Sequence, residues 1–314
     1  MAASDLNARL KTEFIQRQGR FAFTAGVTPA MGANLVSLAV DGEELIFWDQ
    51  PGFIAGKSHT GAFNMFPTPC RLAHSSYEFE GRKISQTKKN EQVFIHGLIR
   101  DESFEFEKKA DSITSLIDIK PGHPVFEGFP FRCRFSVTHS LIDGGLQLAF
   151  KVENRDSVNI PFGFGVHPFW RIPGTRRDVS VRVPCDHILE LKDLVPTGNV
   201  GSVAGTQLDL RTLRNIENLF VDNAFWKRNP GATAEVVFRK IAKRMTISAS
   251  DNFAHMIVYA PQGEPFICVE NLTTCPNAPN LVSAGKGEVA GMRVVPPGAT
   301  EDGWIRYTFE PLAF

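Results

Sequence analysis

The sequence predicts an all-β protein, one large antiparallel domain built as a sandwich or a barrel. Three observations point there. Apolar and polar residues alternate with period two in many short, turn-bounded segments, the pattern of a sheet with one face in a core. Turn formers are frequent, with 26 glycines and 20 prolines, and there are 26 phenylalanines against 3 tyrosines. Abundant aromatic residues among turn formers suit short strands more than long helices. Helical periodicity, the third observation, is weak throughout.

In chain order, Ser4 to Gln16 carries Leu6, Leu10 and Phe14 at four-residue spacing, which predicts a short N-terminal helix. Lys88-Lys89-Asn90-Glu91 reads as a small polar turn. Phe131, Cys133, Phe135 and Val137 alternate with polar residues, and so do Leu146, Leu148, Phe150 and Val152. Asp143-Gly144-Gly145 between them predicts a tight hairpin, because glycine tolerates the positive φ such a turn requires. Alternation continues over Val179 to Val183, Glu235 to Phe238, Met245 to Ala249, His255 to Tyr259 and Trp304 to Phe309. With no Ser/Gly tract, Pro-rich stretch or charge block to act as a linker, residues 1–314 are expected to form a single domain.

Composition excludes several classes of partner. Lys plus Arg is 34 and Asp plus Glu is 34, so no net field draws the chain to nucleic acid or to an anionic membrane. No apolar run approaches the ~20 residues that span a bilayer. Met1 to Arg20 is punctuated by Asp5, Arg9, Lys11, Glu13, Arg17 and Arg20, unlike the apolar centre of a signal peptide. The five cysteines are scattered without a C-x-x-C pair, so neither a disulfide framework nor a zinc site is expected and a cytoplasmic location fits. Phosphate-cradling glycine loops, the G-x-S-x-G elbow and H-E-x-x-H are absent.

Four segments hold ionisable groups in unusual surroundings. Arg71 ends the apolar, proline-rich run Phe66-Pro67-Thr68-Pro69-Cys70. His96 sits inside Val93-Phe94-Ile95-His96-Gly97-Leu98-Ile99, where Gly97 allows close approach to the backbone. His167 precedes Pro168 among aromatic residues and glycines, and that proline restricts its backbone to extended geometry. Glu270 closes the run Phe266-Ile267-Cys268-Val269 and by period two shares a face with Phe266 and Cys268. Each has a plain structural reading as well: a surface arginine, two core histidines, and a strand-end glutamate turned to water. A carboxylate on a buried face needs a partner or a raised pKa, which is how a general base near neutral pH is made.

Taken together and in order, these segments resemble the aldose 1-epimerase (mutarotase) family. Met31 to Leu38 resembles its opening strand pair, and Phe66 to Arg71 followed by Tyr77 to Gly81 its arginine motif. Ile95-His96-Gly97 and Gly165-Val166-His167-Pro168-Phe169 are similar to its two histidine motifs. Leu194 to Gly198 and Val203 to Arg211 resemble the galactose-mutarotase branch, and Val221-Asp222-Asn223 a substrate-binding aspartate. Val269-Glu270 with Thr273 and Pro276-Asn277-Ala278 resembles the glutamate motif, and Val295 to Gly298 the closing one. Asn271 departs from the proline that family members often carry after the glutamate.

The resemblance implies a β-sandwich of the galactose mutarotase type that interconverts the α and β anomers of a free aldose without metal or organic cofactor. It implies Glu270 as general base, His167 as general acid, and His96, Arg71 and Asp222 as ligands of a monosaccharide. Two alternatives stand beside it. The run from His96 to Glu105 is similar to hexose-phosphate mutarotases, with Arg71 and Arg100 as the phosphate-binding candidates and Arg100 expected on the face of His96 if His96 to Arg100 is a regular strand. The other alternative is a sugar-binding protein without turnover, for which an acid–base pair has no purpose.

Overall fold

The computed structural model describes residues 8–86 and 93–312. Two large antiparallel sheets pack face to face, so the sandwich is realised and the barrel is not. Among the described residues the larger sheet has eleven strands. Its centre runs in the order Asn34–Val40, Ala62–Met65, Gly165–Arg171, Phe266–Leu272, His255–Ala260, Val221–Arg228 and Cys185–Lys192. The smaller sheet has nine, centred on Cys133–Ile142, Gly145–Asn154, Thr300–Pro311 and Lys243–Ala249. No helix among the described residues is long and apolar enough to cross a membrane.

The period-two segments became strands as expected. Cys133–Ile142 and Gly145–Asn154 pair with Ile142 opposite Gly145, so the hairpin turns on Asp143-Gly144, with Gly144 at φ 72°. Alternate residues of the central strands then divide between two surroundings. On Phe266–Leu272, Ile267 and Val269 join the core between the sheets, while Phe266, Cys268 and Leu272 join a separate apolar cluster on the sheet's other face. All seven residues of this strand are buried, which is why Phe266 to Val269 reads as a continuous apolar run without alternation.

The N-terminal helix needs correction in its extent. Residues 4–7 lie outside the described residues, Ala8 and Arg9 are helical, and Glu13–Arg17 is a strand paired with Phe23–Thr28. Ile15 is buried while Phe14 is exposed, so this end alternates with period two and joins the sheet edge. The expected polar turn at residues 88–91 also lies outside the described residues.

The phenylalanines explain their number in the core. Phe135 stacks on Phe66 at 4.7 Å and meets Phe164 at 5.6 Å; Phe164 meets Phe150 at 4.5 Å, and Phe150 meets Phe253 at 5.7 Å. This chain of rings runs through the core between the sheets, and Phe66 at its end opens the loop that leads to Arg71. We expect Phe135→Ala to cost about 3–5 kcal/mol, the scale of a lost buried ring and the cavity it leaves. Denaturant unfolding of the two proteins measures it.

Candidate active site

One pairing builds the centre of the site. Gly165–Arg171 pairs with Phe266–Leu272 with Gly165 opposite Leu272, Val166 opposite Asn271 and Phe169 opposite Cys268. That register sets His167 across from Glu270, and His167 Nε2 lies 3.4 Å from Glu270 Oε1. The row continues across the sheet, with Phe63 opposite His167, Ile257 opposite Glu270 and Ala224 opposite Ile257. One row further along the strands lie Phe169, Cys268, Tyr259 and Asp222. These side chains occupy the face turned away from the sandwich core. Asn271 simply continues the strand, so the missing proline leaves Glu270 in place.

Two loops arch over this face. Arg71–Ala73 pairs with Val93–Ile95, and Arg71 lies opposite Ile95. The His96 N–H donates to the Cys70 carbonyl at 2.8 Å, and the Leu98 N–H to the Phe66 carbonyl at 2.7 Å. His96 and Gly97 are both left-handed, at φ 68° and 71°. The strand therefore stops at Ile95, and the expected regular strand from His96 to Arg100 does not form. Arg100 is consequently not delivered to the face of His96 by period two. Its guanidinium lies over the Phe63 ring at 5.8 Å and pairs with Asp101 at 3.5 Å.

The cleft beneath these loops has a volume of about 530 Å³ and is lined by Arg71, His96, His167, Asp222 and Glu270 together. All five sequence candidates thus reach one place, and Arg100 stays outside its lining. The side chains of Arg71 and Asp222 make no hydrogen bond or ion pair with another described residue, which leaves both free for a ligand. His59, Cys70, Tyr259, Glu264 and Phe47 also line the cleft and were not singled out from the sequence. Tyr259 was the most accessible of them, since its strand alternates and places it with Ile257 on the cleft face.

Burial dominates the electrostatics. Glu270 is 1 % exposed, so the plain reading of a glutamate turned to water fails. Burial, and then the negative charge of Asp222, raise its pKa well above the carboxylate range, and a hydrogen bond from Cys70 opposes them. Burial lowers His167 to about 3, and the charges of His59 and Arg100 add to it. His96 is likewise pushed well below the usual range, by burial first and then by His167, Arg100, Arg71 and His59. Burial raises Asp222, against the pull of Arg71. Burial thus disfavours charge on Glu270 and on His167 alike, the two groups that face each other at 3.4 Å. Among the described residues no group of three His, Cys, Asp or Glu side chains is placed to hold a metal ion.

This fold is the β-sandwich of the galactose mutarotase type. The GalM/aldose epimerase homologue of C. elegans superposes with a TM-score of 0.80 at 20% identity, over 96% of this chain and 100% of that one. A galactose mutarotase-like protein of Clostridium acetobutylicum gives 0.80 at 16% identity, over 98% and 100%. The family model of aldose 1-epimerase matches residues 23–308, and the chain belongs to that family. Among curated proteins it is similar to the uncharacterized protein YihR of Escherichia coli K12, 23% identical over 271 residues, covering 82% of this chain and 85% of that one.

The junction of the two loops is the most tightly specified point of the site. A Cβ on Gly97 would lie 2.5 Å from the Phe66 carbonyl oxygen, whereas one on Gly205, at φ 75°, would meet nothing within 4 Å. Gly205→Ala carries the left-handed backbone cost alone, about 1 kcal/mol. We expect Gly97→Ala to cost more than Gly205→Ala in denaturant unfolding, because it also forces the Phe66 backbone away.

Proposed function

We propose that the protein is a mutarotase that interconverts the α and β anomers of a free aldohexose by acid–base ring opening. The observation that carries the reading is the His167–Glu270 pair, 3.4 Å apart and buried at the floor of a cleft also lined by Arg71, His96 and Asp222. Ring opening requires a proton to leave the anomeric hydroxyl and another to reach the ring oxygen. Glu270 takes the first as general base and His167 gives the second as general acid. Both transfers leave Glu270 protonated and His167 neutral, so the charge that burial disfavours on each is gone once the ring is open. Rotation about C1–C2 presents the other carbonyl face, and reclosure returns both protons. No net proton is gained or lost, so the cycle needs neither metal nor organic cofactor.

Arg71, His96 and Asp222 hydrogen-bond the sugar hydroxyls in this reading and hold the ring between acid and base. A free sugar is favoured over a sugar phosphate because Arg100 is turned to Asp101, while Asp222 and Glu264 line the cleft. A phosphate, with close to two negative charges, is better served by clustered arginine forks. We read residues 1–314 as one domain that carries the whole site. Five free, buried cysteines support a cytoplasmic location.

Polarimetry or NMR of anomer exchange tests the reading. Glu270→Gln and His167→Asn should each lower kcat by at least ~10²-fold with the fold intact, the scale of a lost acid or base. Near-normal turnover by either variant removes that residue from the mechanism. Arg71→Ala and Asp222→Asn should act mainly on KM, because they remove binding present in ground and transition states alike.

The second expectation concerns the substrate. Glucose or galactose should give a higher kcat/KM than glucose 6-phosphate. A phosphate preference that disappears in Arg100→Ala would install the sugar-phosphate reading in its place.

A further inference from the structure

The carboxyl of Glu270 is held unequally at its two oxygens. Oε1 faces His167 Nε2 at 3.4 Å, while Oε2 accepts from the Cys70 thiol at 3.9 Å, a long contact of the kind sulfur makes. Among the described residues no other hydrogen bond reaches this carboxyl. The groups around it offer little else. His167 faces it from one flanking strand and apolar Ile257 from the other. Cys268 lies two residues back on its own strand, Arg71 and Asp222 share the cleft, and Tyr307 approaches from the opposed sheet.

Backbone geometry brings the thiol there. Cys70 is left-handed at φ 55°, a conformation uncommon for a residue with a side chain, and its carbonyl is fixed by the His96 N–H at 2.8 Å. The turn buries Cys70 against the sheet and projects the next residue, Arg71, into the cleft. On its other side Cys70 Sγ lies 3.9 Å from Met65 Sδ. A carboxylate oxygen is a stronger acceptor than a thioether, so the S–H points to Glu270. Burial and the neighbouring Glu270 raise the thiol's pKa far above its ordinary value, which keeps it a donor and makes it a poor nucleophile.

We propose that Cys70 is a positioning residue for Glu270, its thiol holding Oε2 and so turning Oε1 toward His167. The kinetic consequence rests on the mutarotase reading; the placement does not. Without the donor, the charged carboxylate loses its one hydrogen bond, and Glu270 should keep its proton to higher pH.

The test compares Cys70→Ala with Cys70→Ser in the full-length protein. Glutamate labelled with ¹³C at its carboxyl allows Glu270 to be titrated in the free protein, its signal assigned by loss in Glu270→Gln. We expect Cys70→Ala to move that titration upward by about half a pH unit or more, the scale of one weak hydrogen bond. Cys70→Ser, which retains a donor, should hold it near or below the original position. In turnover, Cys70→Ala should lower kcat roughly tenfold with little change in KM, and Cys70→Ser should recover most of the loss. An unmoved Glu270 titration in Cys70→Ala, or equal damage in both variants, would reduce Cys70 to packing and overturn the proposal. Should the unaltered protein exchange the anomers of no aldose, the proposed function falls, while the titration still decides the role of Cys70.

Discussion

The site depends on the pairing of Gly165–Arg171 with Phe266–Leu272. It puts an imidazole and a carboxyl side by side inside a sheet, where water contributes little to either. Desolvation disfavours charge on both, and each group's neutral form is the other's natural neighbour. A single proton can then pass between Nε2 and Oε1 without creating net charge. A surface pair at the same separation would be screened by solvent and would have no such coupling.

The second dependence is mechanical. The Phe66–Arg71 loop and the Val93–Ile95 strand with its left-handed end are joined by hydrogen bonds from His96 and Leu98. Phe66 is at the same time part of the aromatic chain that crosses the core. The arginine and histidine that overhang the cleft thus draw their rigidity from packing between the sheets, several residues away from any ligand. The cleft is shaped by core phenylalanines as much as by its own lining.

Much of this was readable from the residues, and the failures have physical causes. Alternation over Phe131 to Asn154 placed a hairpin correctly because period two and a glycine turn agree with each other. Glu270 was identifiable because it interrupts an apolar run on a face meant for burial. The N-terminal helix was drawn too long, because Phe14 continues the four-residue spacing of Leu6 and Leu10 while the neighbouring Ile15 is the residue that the sheet buries. Arg100 was misplaced because nothing local announces that His96, which bears a side chain, will adopt a left-handed backbone. Cys70 gave no sign of its contact with Glu270, 200 residues away in sequence. Long-range proximity of that kind is a property of the register, and no window of sequence contains it.

The division of the central strands between two faces has its own consequence for how such a molecule can change. Along Phe266–Leu272, odd positions face the sandwich core and even positions the opposite face, where the cleft lies. Residues on the cleft face can be exchanged without disturbing the packing of the sheets, and core residues without redrawing the cleft. Inserting or deleting one residue is a different event. It would turn Glu270 into the hydrocarbon interior and present an aliphatic neighbour to the ligand, exchanging the two roles along the rest of the strand. Such a strand is permissive toward substitution and intolerant of any change in length.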